Sequence, residues 1–152
     1  MKKLFLMVGC PASGKSTVAQ QIAEKEGGVV VSRDGIRFRM LNKNDYYFAK
    51  EDAVFDTYIR EVEEALKEND TVIIDATHLS AQARHKVLLR LDLTDVSVRP
   101  VVMTTPLEVA LERNENREGR TYVPRSVVKR MYFQMTDPKN DTLHHYDEII
   151  YV

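Results

Sequence analysis

Short, nearly continuous apolar runs along the chain alternate with longer segments in which apolar residues recur every three or four positions. The continuous runs predict strands buried on both faces, and they lie at residues 3–8, 29–31, 71–75, 96–104 and 148–152. The periodic segments predict helices, and they lie at residues 15–26, 35–41, 46–68, 81–91, about 105–114 and from Pro124 onward. Strands that alternate with helices indicate an α/β fold with a parallel sheet and right-handed crossovers.

Capping and turn residues mark several of these boundaries. Gly27 follows the first helix as a C-terminal glycine, and Ser80 fits the N-cap of the helix at 81–91. Pro100 cannot donate a ladder hydrogen bond, so it predicts that the fourth strand is an edge strand or begins irregularly. The longest helical pattern places on one face Val54, Phe55, Tyr58, Ile59, Val62, Ala65 and Leu66.

Length and composition restrict the class of protein. The 152 residues fit one domain, spanning residues 1–152, that is large enough to bury a core. No apolar run approaches the about 20 residues that cross a bilayer, so we expect no membrane partner. The single cysteine, Cys10, excludes an internal disulfide and fits a reducing compartment. With a net charge of -1, any site for a polyanion must be a local patch.

The sequence GCPASGKST follows the first strand and opens the first helix. It matches G-x-x-x-x-G-K-[ST], the pattern of a phosphate-binding P-loop. The glycines let successive N–H groups turn toward a phosphate, and the helix adds its positive N-terminus. We expect ATP and Mg²⁺ here, with Lys15 at the β- and γ-phosphates and Ser16 on the metal. Cys10 is expected to fill space rather than act as a nucleophile. The predicted nucleotide-binding residues of this loop are Gly9, Cys10, Pro11, Ala12, Ser13, Gly14, Lys15, Ser16 and Thr17.

Asp34 stands just beyond the second strand, on the sheet edge where α/β folds bind ligands. A carboxylate there could accept the proton of an attacking hydroxyl. Arg37 lies three residues further on and can share a face with it, so that a base and a phosphate-binding arginine would point at one acceptor. The spacing also permits a structural alternative, in which Asp34 caps the next helix and Arg37 is a solvated surface charge.

Asp75 ends the third strand, at the position of a carboxylate that would hold Ser16 or a water on Mg²⁺. An aspartate that merely caps a turn is the alternative there. His78 follows closely and could line the acceptor site, but we expect a surface histidine.

A third group of charged residues lies in ERNENREGRTYVP, which spans a helix end and a polar loop. Its arginines are Arg113, Arg117 and Arg120. Phosphoryl transfer spreads negative charge over the γ-phosphate, which a mobile arginine stabilises, so this loop would act as a lid.

Taken together, GCPASGKST, SRDGIR, VIIDATH and RNENREGR followed by VP resemble the polynucleotide 5′-hydroxyl kinase domain of phage and bacterial polynucleotide kinase-phosphatases. The resemblance covers almost the whole chain, in order and at similar spacing. It implies the P-loop kinase three-layer fold, with a central five-stranded parallel sheet and an arginine-bearing lid. It also implies a cytoplasmic enzyme of a bacterium or a phage-infected host.

The resemblance assigns a role to each matched residue of the donor and acceptor sides. Lys15 and Ser16 would bind the ATP phosphates and Mg²⁺. Asp34 would be the general base for the 5′-hydroxyl, and Arg37 would contact the phosphate next to that hydroxyl.

Two assignments stay open between neighbouring residues. Arg117 is the best match for the lid arginine, but a difference of about one residue in lid length lets Arg120 take that role, and Arg113 alternatively flanks the nucleobase. The carboxylate at the end of the third strand falls at Asp75 or one place later, where this chain has Ala76.

Three functions fit these residues. The first is an ATP-dependent kinase of 5′-hydroxyl ends of DNA or RNA, and the second is a kinase of a small-molecule or tRNA hydroxyl on the same fold. The third is a nucleotide-binding regulatory module, against which Asp34, Arg37 and the arginine lid argue, since it needs no acceptor-side base. The aromatic residues 46–48 form either a wall of the acceptor channel or an interface.

Overall fold

The computed structural model describes residues 1–152. Its five strands are Lys2–Val8 (β1), Val29–Ser32 (β2), Thr71–Asp75 (β3), Val96–Val102 (β4) and Ile150–Tyr151 (β5). They form one sheet in the order β2-β3-β1-β4-β5, and every neighbouring pair is parallel. The predicted α/β class and the five-stranded parallel sheet are confirmed. This order places β1, which leads into the P-loop, between β3 and β4.

Six α-helices cover the sheet, together with two short 3₁₀ turns. The helices are Lys15–Glu26 (α1), Arg33–Met40 (α2), Glu51–Glu68 (α3), Ala81–Leu88 (α4), Leu107–Glu115 (α5) and Arg125–Gln134 (α6). The 3₁₀ turns are Gly119–Thr121 and Pro138–Asn140. None of the helices combines the length and the apolar character that crossing a membrane requires.

The alternation of side chains along β1 divides the core into two layers. Leu4 and Leu6 point into the larger cluster, which holds the apolar face of α3 and part of α4. Phe5 and Met7 point to the opposite face, where α1 covers the sheet through small residues such as Ala19. The sheet is therefore sandwiched between helices, which is the expected three-layer arrangement.

Several predicted boundaries differ from those in the structure, among them the fifth strand, which was expected at 148–152 and spans only Ile150–Tyr151. The helix expected at 46–68 begins at Glu51, so the aromatic residues 46–48 lie in the segment before it. The helix expected at 81–91 ends at Leu88, and the one expected at 35–41 begins at Arg33. The last difference places Asp34 in the first helical turn.

Pro100 lies in an interior strand without breaking the ladder. β5 pairs with β4 only at Val101 and Val102, so β4 has no partner on that side at Pro100. The strand is thus effectively an edge at this residue, which is where a proline is tolerated.

Candidate active site

The P-loop has the geometry of a backbone cradle. A side chain at position 9 would bring its Cβ to 2.6 Å from Ser13 Oγ and 2.9 Å from Met103 Cγ, so only glycine fits there. Gly14 has a φ of 92° and stands at the N-cap of α1 without a capping side chain. The first N–H groups of α1 therefore remain available to a ligand at the positive end of the helix.

Other features of the loop also suit a bound phosphate. Ser13 Oγ is buried and has no hydrogen-bond partner in the protein. A cavity at this point is lined by Ala12, Gly14, Lys15, Ser16, Thr17 and Arg117. A buried hydroxyl without a partner and a ring of N–H groups need an anionic oxygen, which a nucleotide phosphate supplies.

Lys15 lines this cavity and lies within electrostatic reach of two carboxylates. Burial lowers the pKa of Lys15, and the charges of Asp75 and Asp34 oppose that shift. The charge of Arg117 lowers the pKa further, which indicates that the arginine lies within electrostatic reach. The charge of Lys15 is thus stabilised both by Asp75 at the end of β3 and by Asp34 just after β2.

Ser16 and Asp75 form the pair expected of a magnesium site. Ser16 Oγ donates to Asp75 Oδ2 at 2.7 Å, and Asp75 is buried at the end of β3. One hydroxyl and one carboxylate, completed by water and phosphate oxygens, is a ligand set that Mg²⁺ takes in phosphotransfer sites. Ala76, the alternative position, carries no carboxylate, so Asp75 is the strand-end residue that the geometry offers.

Asp34 is held by two side chains, one from α2 and one from the segment that precedes α3. Asp34 Oδ1 accepts hydrogen bonds from Arg37 Nη1 and, at 2.6 Å, from the Tyr47 hydroxyl. Its side chain is 57% exposed, which leaves the carboxylate accessible to an acceptor. The N-cap of α2 is Ser32, whose Oγ accepts from Gly35 N at 3.0 Å, so Asp34 is not the cap.

Arg37 is buried, in contrast to the surface alternative. Its Nη2 donates to both carboxylate oxygens of Glu51, at 2.9 and 2.7 Å. Its Nη1 donates to the Tyr47 hydroxyl at 2.7 Å, and its guanidinium lies over the Tyr47 ring. The sequence pattern indicated Asp34 and Arg37, and it offered the aromatic residues 46–48 as a wall of the acceptor channel or an interface. It missed Glu51 and the bond from Tyr47 to Asp34, because both residues were placed inside one long helix.

The three lid arginines have three different surroundings. Arg117 lines the P-loop cavity and donates to the Thr121 carbonyl at 3.1 Å. Arg120 instead lies over the Phe38 ring, with its guanidinium carbon 5.1 Å from the ring centroid. Between the two candidates for the lid arginine, the geometry therefore favours Arg117.

Arg113 contacts the P-loop itself. Its Nη1 donates to the Ser13 carbonyl at 3.1 Å, and the Thr105 hydroxyl donates to the same oxygen at 2.6 Å. The arginine thus supports the loop through its backbone, and its expected contact with nucleotide stays a prediction.

The lid is anchored at its base by one buried amide. Asn114 Nδ2 donates to the Val123 carbonyl at 2.5 Å, and Val123 N donates to Asn114 Oδ1 at 3.0 Å. Cys10 packs nearby against α5 and α6. Burial raises the pKa of its thiol, against the lowering effect of the Lys15 charge, which fits the expected space-filling role.

His78 is not a surface residue, which corrects the expectation from the sequence. It is 4% exposed, adopts a φ of 44°, and its Nδ1 lies 2.7 Å from the Met7 carbonyl. Its Nε2 lies 3.2 Å from the Tyr58 hydroxyl. Burial lowers the pKa of His78 to about 3, so the ring is neutral and serves to join β1 to α3.

A parallel sheet with a P-loop at its edge and an arginine lid above it defines the P-loop kinase fold. A family model described as an AAA domain matches residues 4–138, and the chain belongs to that family. The combination supports a nucleotide-binding phosphotransferase.

Solved structures agree with this fold. A chain from the Pnkp1/Rnl/Hen1 RNA repair complex is 26% identical, with a TM-score of 0.73 over 88% of this protein and 43% of that chain. A gluconokinase from Sinorhizobium meliloti is 19% identical, with a TM-score of 0.64 over 99% of this protein and 81% of that chain. Kti12 from Chaetomium thermophilum, in complex with ADP-AlF3, is 18% identical, with a TM-score of 0.69 over 98% of this protein and 88% of that chain. The last two likenesses concern the fold alone.

Proposed function

We propose that the protein is an ATP-dependent polynucleotide kinase, which transfers the γ-phosphate to the 5′-hydroxyl end of DNA or RNA. The observation that carries this proposal is the position of Asp34. Its carboxylate is anchored by Arg37 and Tyr47, is open to solvent, and lies close enough to Lys15 to influence its pKa. A protein that only binds nucleotide has no need of such a base opposite its P-loop.

The donor side would be held by the P-loop. Its N–H groups and Lys15 would bind the phosphates of ATP, and Ser16 with Asp75 would hold Mg²⁺. A metal ion held by these two residues would supply positive charge against the negative charge that develops on the phosphates during transfer. Arg117, which lines the same cavity, would stabilise that charge from the lid.

The acceptor side would be held by the pair Asp34 and Arg37. Asp34 Oδ1 is occupied by its two donors, so Oδ2 is the oxygen that would take the proton of the 5′-hydroxyl. Glu51 and Tyr47 fix Arg37 in this structure. The resemblance gives Arg37 the neighbouring phosphate of the acceptor, and that contact would require Arg37 to exchange one of these hydrogen bonds. Catalysis would then consist of positioning and charge stabilisation, as is usual for phosphoryl transfer.

Nucleic acid is the proposed acceptor because of two observations that point the same way. The motifs around Asp34 and Arg37 resemble those of polynucleotide kinases, and the structural neighbour of 26% identity belongs to an RNA repair complex. A gluconokinase shares the fold, so a small-molecule hydroxyl is the alternative acceptor.

The test is transfer of label from γ-labelled ATP, with Mg²⁺, to oligonucleotides that carry a 5′-hydroxyl. The same oligonucleotides with a 5′-phosphate serve as blanks, and gluconate and unmodified tRNA serve as the alternative acceptors. We expect label on the 5′-hydroxyl oligonucleotides only. Label on gluconate or tRNA, with none on the oligonucleotides, would replace the proposal with the alternative.

The role of Asp34 is tested with a matched pair of variants. Asp34→Asn keeps the size of the side chain but removes the base, so we expect transfer to be lost while ATP binding is retained. Asp52→Asn, an exposed carboxylate in the first turn of α3, is the control and should behave as wild type. Normal turnover in Asp34→Asn would show that another group accepts the proton.

A further inference from the structure

Four aromatic rings form a strip that begins at the proposed base and leads toward solvent. The Tyr47 ring, whose hydroxyl binds Asp34, has its centroid 4.7 Å from that of Phe48. Phe48 lies 5.8 Å from Tyr46, and Phe38 flanks Tyr47 on the other side at 6.3 Å. We call Phe38, Tyr46, Tyr47 and Phe48 the aromatic strip.

The outer end of the aromatic strip is exposed although the protein has a well-filled core. Tyr46 is 72% exposed and Phe48 is 49% exposed. Large rings of this kind normally bury most of their surface, and adjacent exposed rings beside a site indicate a binding surface. The neighbouring rings meet edge to face, at 66° and 87°, so they are not stacked on one another.

The surroundings of the strip suit a nucleic acid. The strip is in contact with Asp34, the carboxylate that would accept the proton of the 5′-hydroxyl. The base of a terminal nucleotide is attached to the same sugar as that hydroxyl, so it would lie close to the strip. The guanidinium of Arg120 lies over the Phe38 ring and adds positive charge at the inner end. Stacked bases beside arginine are the usual means of holding single strands.

We propose that the aromatic strip stacks the unpaired bases next to the 5′-hydroxyl of the acceptor strand, with Phe48 and Tyr46 as the rings that the bases contact. In a blunt duplex the terminal base is already paired and stacked, so it must be pulled out before it can meet Phe48 or Tyr46. In a single strand the base is free. This inference rests on the proposed function, because it names the form of the acceptor at the same site.

The test compares two acceptors within each variant, so that a general loss of folding cannot imitate the result. One acceptor is a single-stranded 5′-hydroxyl oligonucleotide, and the other is identical but abasic at its two 5′-terminal positions. In the wild type we expect the KM for the abasic acceptor to be roughly 30-fold higher or more, as for the loss of two stacked bases. In a variant that carries both Tyr46→Ala and Phe48→Ala, the two acceptors should have equal KM values.

Phe133→Ala is the matched control, because Phe133 is 75% exposed on α6 and lies outside the strip. It should keep the wild-type ratio of the two KM values. A blunt duplex should be a poorer acceptor than the single strand for the wild type and for Phe133→Ala, and the preference should shrink in the double variant.

Three results would overturn the inference while leaving the proposed function intact. They are equal use of the two acceptors by the wild type, an unchanged ratio in the double variant, and a wild-type dimer in sedimentation that the double variant converts to a monomer. The last result would assign the strip to an interface between two copies of the chain. Failure of the wild type to label any oligonucleotide would instead refute the proposed function.

Discussion

Replacing Tyr47 with phenylalanine removes the hydroxyl that is hydrogen-bonded to the proposed base, Asp34, and leaves the ring in place. That hydroxyl donates to Asp34 Oδ1 at 2.6 Å and accepts from Arg37 Nη1 at 2.7 Å. A phenyl ring still offers its face to Arg37, whose guanidinium carbon lies 4.2 Å from the ring centroid. The change therefore isolates the effect of the hydroxyl on the orientation of Asp34.

The size of the effect follows from charge and exposure. A hydrogen bond to a charged group contributes about 1.5–3 kcal/mol. The side chain of Asp34 is 57% exposed, so water replaces part of the lost bond, and Arg37 still binds Oδ1. We expect a loss of about 1–2 kcal/mol, which corresponds to a kcat roughly 5- to 30-fold lower. The KM for ATP should not change, because the Tyr47 hydroxyl bonds only to Asp34 and Arg37 and not to the P-loop.

The assay is the initial rate of phosphate transfer, with ATP and the 5′-hydroxyl oligonucleotide varied in turn. Tyr46→Phe is the control, since it removes a hydroxyl from the adjacent, exposed tyrosine. A merely structural role for Tyr47 would lower the melting temperature and raise both KM values. A kcat of Tyr47→Phe equal to that of wild type, or an equal fall in Tyr46→Phe, would refute the positioning role.

Three further predictions concern the lid and the buried polar groups. Arg117→Ala should lower kcat about 100- to 1,000-fold, as for the loss of one charge-stabilising donor, and Arg120→Ala should lower it less; the opposite order in the transfer assay would give the lid role to Arg120. Asp141→Ala should destabilise the fold by about 3–5 kcal/mol in urea unfolding, because it leaves the fully buried Arg84 without the carboxylate that binds its Nε and Nη2. Burial lowers the pKa of His78 to about 3. Below about pH 6.5 the His78 ring is therefore protonated in the unfolded chain but stays neutral in the folded chain. Stability should therefore fall between about pH 6.5 and 3, by up to about 1.4 kcal/mol per pH unit from this group, and His78→Gln should fall less steeply over the same range.

The residues that the sequence predicts well are those set by local pattern. Gly9, Lys15 and Ser16 follow a buried strand and open a helix, so a short stretch of chain defines both the loop and its position. The parallel order of the strands follows from the alternation with helices. Asp75 needed one more inference, that the third strand lies beside the first, and the register of β1 with β3 agrees with it.

The residues that the sequence does not predict are set by contacts between distant segments. Glu51 lies 14 residues from Arg37, and the helical period that favoured a helix from residue 46 gave no sign that the helix begins only at Glu51. His78 is polar and follows a strand, so a surface position was expected. Its burial depends on the Met7 carbonyl and the Tyr58 hydroxyl, and no periodicity reveals such partners.

These long-range contacts also explain how the donor and acceptor halves keep a fixed separation. α3 binds Arg37 through Glu51 at its first turn and binds His78 through Tyr58 near its middle. His78 in turn binds the Met7 carbonyl, two residues before the P-loop begins.

The segment between β3 and α4, which contains His78, makes a second bond to the donor side. Its Thr77 carbonyl accepts a hydrogen bond from Gly9 N at 3.0 Å. The proposed base and the P-loop are therefore joined through one helix and one buried histidine. The lid is attached at its base by the two hydrogen bonds between Asn114 and Val123, and its Arg120 contacts the Phe38 ring of α2. We expect the substrate to be positioned by Asp34 and the P-loop and to be enclosed by the lid, because in-line phosphoryl transfer needs both fixed reacting groups and exclusion of water.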